Sequence, residues 1–154
     1  MIGQVLSMGL SFLLLWGGRD KVWTPTFKGA PEQRFEQGVK HYKAKMGIEY
    51  ELVFDLHPDG RFAADPQRCS SVEAAWISGE GPAGFDEFVV APKRGVVVTW
   101  WGKGKDCSRQ KPEFWALHEA AHVRMQHHLM NLPPEQAEDE ARQAMVWYSA
   151  KERR

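Results

Sequence analysis

The sequence predicts an α+β domain: one helix, a small antiparallel sheet, then two helices in succession. Three observations carry this. Residues 31–46 repeat apolar side chains at helical spacing. Residues 48–101 hold alternating and β-branched runs. Two further helical stretches are separated by the breaker Met130-Asn131-Leu132-Pro133-Pro134. At 154 residues the chain has the length of one domain and can bury a core without relying on cross-links.

The elements follow in order. An apolar run from Val5 to Trp16 is shorter than the roughly 20 residues of a membrane span. It also lacks a basic stretch ahead of it, as a cleaved signal would have. Residues 1–24 are therefore expected to pack on the domain, with a weak membrane anchor or an uncleaved export signal as the alternative; residues 25–154 form the domain itself. Phe35, Val39, Tyr42 and Met46 mark a helix over 31–46, stopped by Gly47. Ile48, Tyr50, Leu52 and Phe54 alternate as a strand, and His57-Pro58-Asp59-Gly60 reads as a turn into a possible return strand at 61–64. Residues 65–84 show no clear pattern. Two strands are expected at 85–91 and 94–102, the second around Val96-Val97-Val98-Thr99, the strongest strand signal in the chain. Lys103, Lys105, Arg109 and Lys111 cluster in the following loop and read as a solvated basic run. Helices are expected over Pro112–His127 and Pro134–Lys151, the latter with a stripe of Ala137, Ala141, Ala144 or Met145, and Tyr148.

Composition narrows the function. Hydrophobic residues make up 43% of the chain, and seven tryptophans point to a dense aromatic core or an apolar cleft. Twenty basic residues balance twenty acidic ones, which gives no electrostatic reason to expect nucleic-acid binding. The two cysteines, Cys69 and Cys107, form no CxxC pair, so thiolate zinc-finger spacing is absent. Two reduced thiols are the expectation; a disulfide is the alternative and requires an oxidising compartment.

Four of the six histidines lie within Phe114–Met130. His118-Glu119-Ala120-Ala121-His122 is HExxH. On a helix, residues four apart share a face with Cβ atoms about 6 Å apart, so two imidazoles there can converge on one cation. Glu119, beside them, can reach a water on the cation rather than the cation itself. That pattern points to one zinc ion, ligated by His118 and His122, with Glu119 as general base and then general acid in peptide hydrolysis.

A catalytic zinc usually takes three protein ligands. His128 has the offset of the last histidine in HExxHxxGxxH, but Met125 occupies the glycine position and offers no easy left-handed turn. His127 and His128 also suit a polar helix end. The other route is an acid from the next helix, which should return antiparallel. Glu138 and Glu140 flank the Ala137/Ala141 stripe and either can face inward; Asp139 should face solvent. A solvated acidic first turn would equally suit all three.

HEAAH with its lead-in Phe114-Trp115-Ala116-Leu117, followed by Glu138-Asp139-Glu140-Ala141, resembles the ImmA/IrrE family of small metallopeptidases. The resemblance spans about residues 31–150. It implies a minimal zincin-like domain of gluzincin type, with the HExxH helix followed by a second ligand-bearing helix. By position it makes Glu138 the third metal ligand. It further implies a protein or peptide substrate of the repressor or regulatory-protein class. The chain departs from the family pattern at Arg142, Ala144 and Met145, and Glu140 stays an alternative ligand.

The expectation is thus a zinc metallopeptidase in the cytoplasm, or tethered or exported through its apolar N-terminus. Strand Gly95–Trp101 is expected to form the cleft edge, with Trp100 and Trp101 lining subsites or packing in the core. A metal-stabilised interaction or structural protein without turnover is the competing reading.

Overall fold

Helix α1, Pro31–Met46, buries the stripe expected of it: Phe35, Val39, Tyr42 and Met46 face the core. Gly47 ends it with φ 67°, a left-handed conformation that glycine adopts without Cβ strain. The computed structural model describes residues 22–57, 69–77, 93–103 and 105–153. The expected anchor region before residue 22, most of the turn at 57–60 and the expected strands at 61–64 and 85–91 lie outside them.

Three strands follow: β1, Glu51–Leu56; β2, Ser70–Ile77; and β3, Lys93–Trp100. In β1, Leu52, Phe54 and Leu56 turn towards the core while Glu51, Val53 and Asp55 face out, a period of two. The sheet order is β1-β3-β2. β3 runs antiparallel to β2 but parallel to β1, with Leu52 opposite Val96 and Val72 opposite Val98. The described sheet is therefore mixed, which corrects the antiparallel expectation. The physical reason lies in β3. Its valines make it the strand best suited to pairing on both sides, so it takes the centre, and β1 and β2 flank it in opposite directions. β2 falls where no pattern was visible, because Ser70, Ser71, Glu73, Ala74 and Ala75 alternate too weakly to register.

Helices α2, Lys105–Arg109, and α3, Pro112–Arg124, come next. A 3-10 turn, His127–Leu129, and α4, Pro134–Arg153, follow. α3 stops one turn short of the expected His127. Met125 caps it, and Gln126 then adopts φ 60°, a left-handed conformation unusual outside glycine. α4 buries Ala141, Met145 and Ser149. No helix among the described residues is long and apolar enough to cross a membrane.

α3 is held against α1 where Gly38 meets Ala116. A Cβ at Gly38 would come within 2.6 Å of the Ala116 Cβ, so only glycine permits this approach. The N-terminus of α3 is tied down by Glu113, whose side chain is fully buried. It accepts hydrogen bonds from Arg34 at 2.7 and 2.9 Å and from the Phe27 amide at 2.7 Å. Burial pushes the Glu113 carboxyl up, but those bonds and the Arg34 charge outweigh it and hold it below the usual carboxylate range. Lys111 is not merely solvated: its Nζ donates to the Thr24 carbonyl at 2.9 Å and to Thr26 Oγ1 at 2.7 Å.

Cys69 and Cys107 form a disulfide, with Cα atoms 5.0 Å apart. This corrects the expectation of two reduced thiols. The cysteines are 38 residues apart in the chain, and nothing in that spacing reveals that the start of β2 comes to rest beside α2.

Candidate metal centre

His118 and His122 project from one face of α3, as i and i+4 positions must. Their Nε2 atoms lie 2.9 Å apart. α4 passes this face and brings Glu138 to both: Oε2 is 2.9 Å from His118 Nε2 and Oε1 is 3.1 Å from His122 Nε2. The three residues form a group that can hold a metal ion. A tetrahedral ion with bonds of about 2.0–2.1 Å separates its ligand atoms by about 3.3 Å, so the donors need to move only slightly. Two imidazole nitrogens and one carboxylate oxygen are also the donor set of an open zinc site.

The charges suit a cation. Burial pushes the Glu138 carboxyl up, but hydrogen bonds from His118 and His122 outweigh it and hold it well below the usual carboxylate range. Burial opposes charge on His118. Its bond to Glu138 and the negative charges of Glu119 and Glu138 nevertheless raise it above the ordinary imidazole range, with Arg142 pulling the other way. A metal binding here must displace that proton.

The other candidates sort by position. Glu119 lies on the wall of the same cleft, 4% exposed, and its Oε2 accepts a hydrogen bond from Ser70 Oγ on β2. Glu140 turns away from the group and meets His127, with Oε2 2.8 Å from Nε2. Asp139 faces solvent, as expected. His128 stacks edge-on against Tyr50, with ring centroids 4.9 Å apart, and is not one of the group. The left-handed turn that the His128 route lacked at Met125 does exist, one residue later at Gln126. It delivers His127, not His128, back towards His122.

The cleft has a volume of about 520 Å³, and its walls include Ser70, Ser71, Phe114, Trp115, Arg109 and Arg142. Ser70 carried no sequence signal; Arg109 stood out only as part of a solvated basic run and Arg142 only as a departure from the family pattern, neither as a cleft residue. The expected cleft edge at Gly95–Trp101 is corrected: β3 is the central strand and pairs on both sides. Trp100 is 3% exposed and packs on Phe35, ring centroids 4.8 Å apart, which makes it a core residue. β2 borders the cleft instead, and the disulfide at Cys69 anchors its start immediately before Ser70.

In comparisons with known proteins, no family model, no curated protein and no solved structure matches this chain.

Proposed function

We propose that the chain is a zinc-dependent metallopeptidase of gluzincin type, with a zincin-like arrangement similar to the ImmA/IrrE family. The observation that carries this reading is the convergence of His118 Nε2, His122 Nε2 and the Glu138 carboxylate, with Glu119 beside them on the cleft wall. Bound zinc would supply Lewis acidity, easing the loss of a proton from the attacking water and polarising a peptide carbonyl. Glu119 takes the proton of the attacking water. The water oxygen adds to the carbonyl carbon, the C–N bond breaks, and Glu119 returns the proton to the leaving amine. Ser70 holds one Glu119 oxygen and leaves the other as the proton acceptor. Arg142 lines the cleft and supplies positive charge near the developing oxyanion.

Among the described residues β2 is an outer strand, and an extended peptide can add to it beside the cleft. The substrate is thus a protein segment or peptide in extended form. The disulfide favours the exported alternative over the cytoplasmic expectation, because such bonds persist in oxidising compartments.

One observation favours a non-catalytic, metal-stabilised domain: Glu119 is buried and already hydrogen-bonded. Zinc content and cleavage of an unfolded, fluorescently labelled protein, measured on wild type and Glu119→Gln, separate the two. The expected result is about one zinc in both chains and a cleavage rate lower by about 10²–10⁴-fold in the variant. Equal cleavage in the variant would remove the mechanism. A zinc-loaded wild type that cleaves nothing, and that a chelator unfolds, would establish the structural role.

A further inference from the structure

The two histidines of the group are supported unequally. His118 Nδ1 has no hydrogen-bond partner among the described residues. His122 Nδ1 lies 2.8 Å from His127 Nδ1, and His127 Nε2 lies 2.8 Å from Glu140 Oε2. The His127 side chain is 5% exposed, so its contact with His122 is shielded from water, while Glu140, at 34%, forms the outer, partly exposed end.

Proton counting gives the chain a direction. A carboxylate only accepts, so His127 Nε2 carries the proton facing Glu140. A neutral imidazole has one N–H, which leaves His127 Nδ1 as an acceptor. His122 Nδ1 then donates to it, and when a cation replaces the proton between His122 Nε2 and Glu138, Nε2 meets that cation with its lone pair while Nδ1 keeps its own proton. That is the tautomer a metal requires.

The backbone is bent to make this possible. On an unbroken helix a residue five positions beyond His122 would lie about 140° around the axis, facing away from it. Gln126, at φ 60°, ends the helical path and swings His127 back. A left-handed non-glycine residue carries a conformational cost, and here it has an identifiable purpose.

We propose that His127 and Glu140 form a positioning relay that holds His122 in its metal-binding tautomer and orientation. The inference rests on the metal reading above. It makes His127 and Glu140 positioning residues that act on the metal site through His122.

The test is zinc affinity, measured on the full chain by competition with a chromophoric chelator, for wild type, His127→Leu, His127→Asn and Glu140→Ala, with circular dichroism as a check of folding. His127→Leu should bind zinc about 10–100-fold more weakly. In His127→Asn the side-chain oxygen takes the place of Nδ1 and can accept the His122 proton, so affinity should return to within a few-fold of wild type. Glu140→Ala should weaken binding by about tenfold, within the range for outer partners of a metal ligand. It also decides the matter if His127→Leu does not fold. Wild-type affinity in a folded His127→Leu or in Glu140→Ala would overturn the relay. So would an Asn variant as weak as Leu, which would mark His127 as packing alone. A wild type that binds no zinc would overturn the metal reading and the relay together. A wild type that binds zinc but cleaves no peptide would remove the peptidase reading, while the affinities still judge the relay.

Discussion

Glu138 stands between two imidazoles and contributes the only negative donor of the group. Without it, His118 and His122 present two neutral nitrogens 2.9 Å apart to a cation, with no charge to offset its dehydration. Glu138→Ala should therefore weaken zinc binding by at least about 100-fold, more than the loss of an outer partner. Elemental analysis after dialysis against a weak chelator measures this directly. Wild-type zinc content in that variant would show that the three donors do not act together. The neighbouring acids illustrate how one residue of helix rotation separates roles. Glu138 meets the histidines of the group, Asp139 meets solvent, and Glu140 meets His127.

At the scale of elements, the position of α3 depends on how closely α1 approaches it. Gly38 is the contact point, and a larger side chain there must push the Ala116 segment of α3 outward. Gly38→Val should cost about 1–3 kcal/mol by overpacking, offset only slightly by the better helix propensity of valine over glycine. The shift should also reach His118, half a turn beyond Ala116. Thermal denaturation measures the first effect and zinc affinity the second; an unchanged melting temperature would show that α1 and α3 can separate freely. β2 is held from the other side. The disulfide at Cys69, immediately before the strand, and the bond from Ser70 to Glu119 fix the strand that borders the cleft at the end nearest the proposed chemistry.

Two predictions belong to the whole molecule. The disulfide closes a loop of 38 residues in sequence separation, which in the chain-entropy picture is worth about 4 kcal/mol. Reduction should lower the denaturation midpoint accordingly, measured with and without a thiol reductant; an unchanged midpoint would mean that the bond constrains nothing. Acid should act through Glu113. Its folded carboxyl is held below the usual range, so the unfolded chain takes up the proton first as pH falls. The stability it contributes is complete above the ordinary carboxylate value of about 4.3 and is lost as pH falls through the lower folded value. Glu113→Gln should cost about 3 kcal/mol at neutral pH, leaving Arg34 without its buried counter-charge, and should flatten the acid limb of the stability curve. Equal acid dependence in both chains would assign it to other groups.

What the sequence determined by itself was local. Helical spacing identified the buried stripe of α1 and the shared face of His118 and His122, a period of two identified the alternation of β1, and glycine marked the stop at Gly47, because each depends on residues only a few positions apart. Of the rest, HExxH, which selected His118 and His122, left the third donor open, and family resemblance chose Glu138. Only tertiary structure brought α4 to within 2.9 Å of α3, turned Glu140 to His127 and sent His128 to Tyr50. It alone placed β3 in the centre of a mixed sheet and β2 beside the cleft, and joined Cys69 to Cys107. These are contacts between segments far apart in the chain or across an irregular turn. They are decided by which surfaces bury each other, and the spacing of residues along one segment carries no record of that choice.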